Sequence, residues 1–115
     1  MRIDYVVCPA NIADKIESKH NVTAREARQA LPGQGLEIPG SNRKVPSGTW
    51  PFGNPRIRFA EKGYIEGNDV YVAFGRTFGG RYLAVFFVHK PTTATAIIIS
   101  ARDMSRKERR SYGRK

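Results

Sequence analysis

Cysteine is almost absent from this 115-residue chain: Cys8 stands alone, and a lone thiol can form no internal disulfide. Histidine is nearly as scarce, with only His20 and His89. Together with Cys8 they have none of the paired spacings from which structural zinc sites are built, so no metal and no cofactor is expected. No Ser/His/Asp set, phosphate-cradling glycine loop or dinucleotide fingerprint is present, and "GRTFGG" has the glycines of a turn, not of a nucleotide loop. Long hydrophobic runs are missing too. The longest, Tyr82 to Val88, falls far short of the roughly 20 residues that a membrane-spanning helix needs. The start of the chain lacks the charged, apolar and small-residue sections of a signal peptide, so a reducing, cytoplasmic setting with no membrane partner is expected. Acidic side chains are in short supply: ten Asp and Glu face twenty Lys and Arg, a formal charge of +10.

What is present is globular. Apolar residues are plentiful, aromatic residues are well represented, and no internal repeat is visible, so a single domain spanning 1–115 with a modest core is expected. The excess charge is mostly arginine, thirteen Arg against seven Lys. Arginine grips phosphate through two parallel hydrogen bonds, and a pI near 10.3 is the electrostatic footprint of nucleic-acid binding. A solubility surface would be served by either sign of charge, so polyanions are the expected partners.

Along the chain, "MRIDYVVC" alternates as a short strand. "ANIADKIESKH" spaces Ile12 and Ile16 as one stripe of a helix, and Asn21 suits the left-handed turn that stops it. Thr23 and Glu26 form a capping box for a second helix with Ala27, Ala30 and Leu31 on its apolar face, completing a helical hairpin. From Pro32 to Pro55, five of the seven prolines and five glycines read as a long loop, its end pinned by Trp50 and Phe52. Four strands follow: "RIRFA", "DVYVAFG", "RYLAVFFV" and "ATAIIIS", the last two apolar on both faces and therefore expected to be the most buried. Gly79-Gly80 turns the second into the third, and "KPTT" separates the third from the fourth. A final basic helix begins at Ser105, which forms a second capping box with Glu108. The expected fold class is α+β: an antiparallel meander packed against an N-terminal helical hairpin, with a C-terminal basic helix.

Candidate functional residues are basic and aromatic. Between Ser100 and Lys115, Arg102, Arg106, Lys107, Arg109, Arg110, Arg114 and Lys115 are opposed only by Asp103 and Glu108. On a helix Arg106, Arg109 and Arg110 fall close together, near Arg102 before the start and Tyr112 one turn on, and clustered Arg beside Tyr suits a phosphate site better than a solvated face. Lys19-His20 ends the first helix, where the negative end of the helix dipole favours a protonated imidazole. A helix-terminating surface histidine is the plainer reading of His20 taken alone, and His89 at a strand end is structural.

The segments "KIESKHNVTAREARQAL", "VYVAFGRTFGGRYLAVFFV" and "IIISARDMSRKERRSYGRK" resemble the BrnT toxin family of the RelE/ParE superfamily, over roughly residues 10–31 and 69–115. The most specific pieces are Ile99 to Arg102 leading into Arg106 to Tyr112, and Lys19-His20 followed by "TAREA". The family usually has Gly where this chain has Asn21, and the 32–55 segment, with Arg43 and Lys44, is longer than the family's link. The resemblance implies a RelE/ParE-like fold and a cytoplasmic ribonuclease toxin of a type II toxin–antitoxin system. Such a toxin cleaves RNA through 2′-hydroxyl attack, inhibits translation and growth, and is held inactive in a hetero-oligomer with a cognate antitoxin. It implies Lys19 or His20 as base or acid, Arg102 with Arg76 or Arg81 on the phosphate, and Tyr112 stacking on a base or donating a proton. Arg106, Arg109, Arg110, Arg43 and Lys44 are the expected RNA contacts. The alternatives are a non-catalytic RNA- or DNA-binding protein, which needs the arginines but no histidine, and an inactive toxin-fold interaction module.

Overall fold

The computed structural model describes residues 3–31, 56–65, 68–77 and 79–113. The expected loop at 32–55, with Arg43, Lys44, Trp50 and Phe52, lies outside them, as do Arg114 and Lys115. The elements run β1 (Tyr5–Val7), α1 (Ala10–His20), α2 (Ala24–Gln29), β2 (Arg56–Ile65), β3 (Asn68–Arg76), β4 (Tyr82–Lys90), β5 (Thr95–Asp103) and α3 (Arg106–Gly113). The fold is α+β. No helix among the described residues is long and apolar enough to cross a membrane.

The local signals act as their chemistry dictates. Asn21 takes φ 53° and closes α1, its N–H donating to the Glu17 carbonyl at 3.0 Å. Thr23 Oγ1 accepts from Glu26 N–H at 3.1 Å while a Glu26 carboxylate oxygen accepts from Thr23 N–H, the reciprocal capping box. Ser105 and Glu108 repeat that exchange at the start of α3.

The sheet departs from the expected meander at one edge. β2 to β5 are antiparallel neighbours, but β1 adds beside β5 in parallel, giving the order β1-β5-β4-β3-β2 and a mixed sheet. The cause is the tight turn between β4 and β5. Ala94, held there at φ 51°, turns its carbonyl outward, where it accepts the N–H groups of Asp4 and Tyr5 at 2.7 and 3.1 Å. The chain start is thereby anchored at the beginning of β5 and runs alongside it. With only the three residues of β1 as its outer neighbour, β5 is also less enclosed than its composition implied, and Ile97 and Ile99 remain half-buried.

Alternation along the strands separates two faces. One packs Leu83, Val85, Phe87, Ile98 and Ala101 against Ile16, Val22, Ala27 and Leu31 of the helical pair. Leu83, Ile16 and Leu31 are wholly buried, each worth roughly 1.5–3 kcal/mol of hydrophobic transfer. Phe59, Tyr71 and Phe87 extend this face as a cross-strand ladder with ring centroids 5.9 and 6.0 Å apart. The other face carries Tyr82, Ala84 and Phe86 in a column, with Arg102 opposite Ala84, and is where α3 lies.

The closest approach of helix to sheet is at Gly75. A β-carbon there would stand 2.9 Å from the Cα, Cβ and carbonyl oxygen of Ala30, so α2 rests on this strand only because the residue has no side chain. Gly75→Ala is expected to destabilise the fold by about 1–3 kcal/mol in urea denaturation, because backbone must move. Gly79→Ala, with only Thr77 Oγ1 at 3.7 Å, should stay within about 0.5 kcal/mol of the wild type.

Candidate functional site

The site is assembled at one end of the sheet, where β4 begins and β5 ends. Five residues connect β3 to β4, with Thr77 N–H donating to the Arg81 carbonyl and Arg81 N–H donating to Thr77 Oγ1. This turn places Arg81 diagonally across from Asp103, which sits opposite Leu83 on the helical face. Arg81 Nε and Nη2 donate to the two Asp103 carboxylate oxygens at 2.6 and 2.9 Å. Nη1 donates to the Asn21 carbonyl at 2.6 Å and reaches Glu26 at 3.3 Å, and Nη2 also reaches the His20 carbonyl at 3.2 Å. One guanidinium thus caps the exposed carbonyl end of α1, holds the capping-box glutamate of α2 and grips the end of β5.

Ionisation follows this geometry. The hydrogen bonds from Arg81 hold the Asp103 carboxyl below its ordinary range against partial burial, and the nearby charges of His20 and Arg109 lower it further. Burial alone would raise Glu26, but hydrogen bonds from the Thr23 backbone and from Arg81 outweigh it. Asp103, counted in the sequence only as a charge opposing the arginines, is therefore the carboxylate that fixes Arg81 at the end of β5. No motif marked it, because its partner Arg81 is 22 residues away in the chain.

Arg102 behaves in a parallel way on the opposite face. Its Nη1 and Nη2 donate to the two Glu108 oxygens at 2.7 and 3.0 Å, and the guanidinium lies 5.4 Å from the Phe86 ring centre. The fork expected to hold a phosphate is turned toward a carboxylate of the chain and joins α3 to β5. Arg109 lies 4.8 Å from the centre of the Tyr82 ring, which meets Tyr112 edge-to-face at 5.8 Å. Tyr82 is not among the site residues that the sequence singles out; its position directly after Arg81, at the start of a strand facing the basic helix, was the available signal.

Arg106, Arg109 and Arg110, with Tyr82 and Met104, line an open groove of about 390 Å³. No carboxylate among the described residues pairs with these three arginines. Across α3 a second cleft of about 360 Å³ separates it from Arg58 and Phe74. Arg76 ends β3 opposite Tyr82, and Lys19 is exposed on the last turn of α1 beside His20. The structure thus gathers His20, Arg81, Arg102, Arg109 and Tyr112 around one end of the sheet and spends two of the arginines on internal pairs.

Arg81→Lys retains the charge but loses the fork, and is expected to lower stability by about 1–2 kcal/mol, a modest value because Asp103 is more than half exposed. Thermal unfolding measures it; an unchanged midpoint would mean that the guanidinium contacts add nothing to stability. The Arg102–Glu108 pair gives a pH signature. Hydrogen bonding from Arg102 takes Glu108 from an ordinary 4.5 to about 2. Its stabilisation is complete above about pH 4.5 and is lost as the pH falls toward 2, amounting to about 1–2 kcal/mol after discounting for solvent. Glu108→Gln should remove that share of the acid dependence, which denaturation at a series of pH values would reveal.

Set against models of known protein families and against curated proteins, the chain matches none of them.

Proposed function

We propose that the chain is a metal-independent ribonuclease toxin with a RelE/ParE-like arrangement, neutralised in the cell by a cognate antitoxin protein. The observation that carries this reading is the open groove lined by Arg106, Arg109, Arg110 and Tyr82, at the end of the sheet where Arg81, the residue before Tyr82, holds the backbone carbonyl of His20. RNA can supply its own nucleophile. The 2′-oxygen attacks phosphorus, the bond to the 5′-oxygen breaks, and the products are a 2′,3′-cyclic phosphate and a 5′-hydroxyl. The protein must take the 2′ proton, hold the dianionic phosphorane and return a proton to the leaving oxygen.

In this reading His20 handles a proton, with Lys19 beside it. Arg109, Arg106 and Arg110 hold the phosphate, and Tyr112 offers a ring or a hydroxyl. Arg81 sets the position of His20 through its backbone carbonyl, and Arg102 sets α3 through Glu108. The antitoxin would be an acidic segment able to cover the basic face of α3. The commitment of Arg81 and Arg102 to carboxylates favours a second reading, in which α3 grips a nucleic-acid backbone without cutting it.

His20→Ala separates the two. For a nuclease, single-turnover cleavage of RNA should fall by on the order of 10²–10⁴ with affinity kept, and the growth arrest caused by expressing the wild type should be relieved. Wild-type protein that binds RNA, leaves it intact and is tolerated by growing cells would establish the binding reading instead.

A further inference from the structure

The cleft on the far side of α3 from the arginine groove has a lining of a different kind. Phe74 supplies one ring from β3 and Tyr112 another from α3. Tyr112 is held in orientation by its edge-to-face contact with Tyr82. Phe74 stands opposite Ala84, which in turn pairs with Arg102, and the Arg102–Glu108 pair joins the sheet to the helix beside the cleft. Arg58 of β2 and Lys107 of α3, both exposed, bring positive charge to the cleft from two elements.

The polar groups within the cleft are arranged for recognition by hydrogen bonding. Glu108 is ionised, but its charge is answered by Arg102, and its oxygens already accept from Arg102 and from Ser105 N–H, so it does not repel a phosphodiester as a bare carboxylate would. Ser105 Oγ accepts the Glu108 N–H, which leaves the hydroxyl proton to donate outward. Ser111 adds a second hydroxyl. Rings for a planar group, hydroxyls for its edge and cations for the phosphates on either side make up the chemistry of a nucleotide within a single strand. A bare phosphate would have no use for the rings, and an aliphatic side chain none for the hydroxyls.

We propose that the cleft between Phe74 and α3 binds one unstacked nucleobase of single-stranded RNA, while the arginine groove across the helix holds the backbone. This deepens the nucleic-acid reading above and rests on it for the identity of the polymer. It makes α3 a divider with a phosphate side and a base side, and it locates sequence preference at Phe74, Ser105 and Ser111.

The test is fluorescence anisotropy with labelled strands of about 10 nucleotides: the adenine, cytosine and uracil homopolymers and an abasic ribose-phosphate strand of equal length. Phe74→Leu keeps apolar volume but removes the ring. It should weaken binding of at least one homopolymer by on the order of 10- to 100-fold and leave the abasic strand within about two-fold, since one stacked base is worth ~1–3 kcal/mol. Arg109→Ala with Arg110→Ala should weaken every strand, the abasic one included, and flatten the salt dependence by roughly 0.7 in log–log slope for each phosphate that is no longer gripped. Ser111→Ala, which removes a half-buried hydroxyl of the cleft and no apolar packing group, should change the ranking of the bases even where Phe74→Leu folds poorly. Wild-type protein that binds the abasic strand as well as the others would overturn the pocket, and so would a Phe74→Leu variant that loses all strands equally. A base ranking that persists in protein unable to cut RNA would retain the pocket and dismiss only the nuclease; cleavage with no base preference would do the reverse.

Discussion

One guanidinium holds the N-terminal helices to the end of the sheet. Arg81 satisfies the last carbonyls of α1, which have no partner within the helix, and it does so while held by Asp103 and Glu26. A side chain without donors at this junction would leave helix-end carbonyls facing a carboxylate, an arrangement of like partial charges. A lysine could answer one of these acceptors well, but not four from three elements, because its donors radiate from a single point. At the other end of α2, Ala30 sits closely over Gly75.

The same pairing logic divides the positive charge into two populations. Arg81 and Arg102 are bound to carboxylates that they hold well ionised, and their role is to define where His20 and α3 stand. Arg106, Arg109 and Arg110 line the groove without forming an ion pair among the described residues, and in the proposed reading they are where a polyanion would release its counterions. Net charge counts both populations alike, although the guanidiniums of the first are already engaged by carboxylates of the chain. The most firmly held arginines are thus not the ones that line the groove.

The two faces of the sheet carry different tasks. The helical face supplies the core and, at its end, His20. The opposite face carries α3, whose contacts with the sheet are the Arg102 pair and the Tyr82 aromatic pair rather than an apolar stripe. A helix attached in this way retains a cleft on each side. The two clefts differ in their side chains, arginines on one side and rings with hydroxyls on the other.

Much of the fold was legible in the residue order. The capping boxes at Thr23 and Ser105, the left-handed stop at Asn21 and the strand alternation are local, each set by groups within a few residues of one another, and each stands where the pattern put it. The basic character of α3 was legible for the same reason. Three things were not. The parallel placement of β1 depends on a carbonyl of Ala94 some ninety residues away. The engagement of Arg81 by Asp103, Glu26 and the α1 terminus depends on strand register and on how the helices lie over the sheet. The cleft beside Phe74 joins residues of β2, β3 and α3 that only strand register and the placement of α3 bring together, which no linear pattern displays. Sequence by itself determined the elements, their ends and the sign of the charge, because those follow from near neighbours. Tertiary structure alone decided which arginines are spent and which are offered, because a guanidinium takes whichever acceptors folding brings within about 3 Å of it.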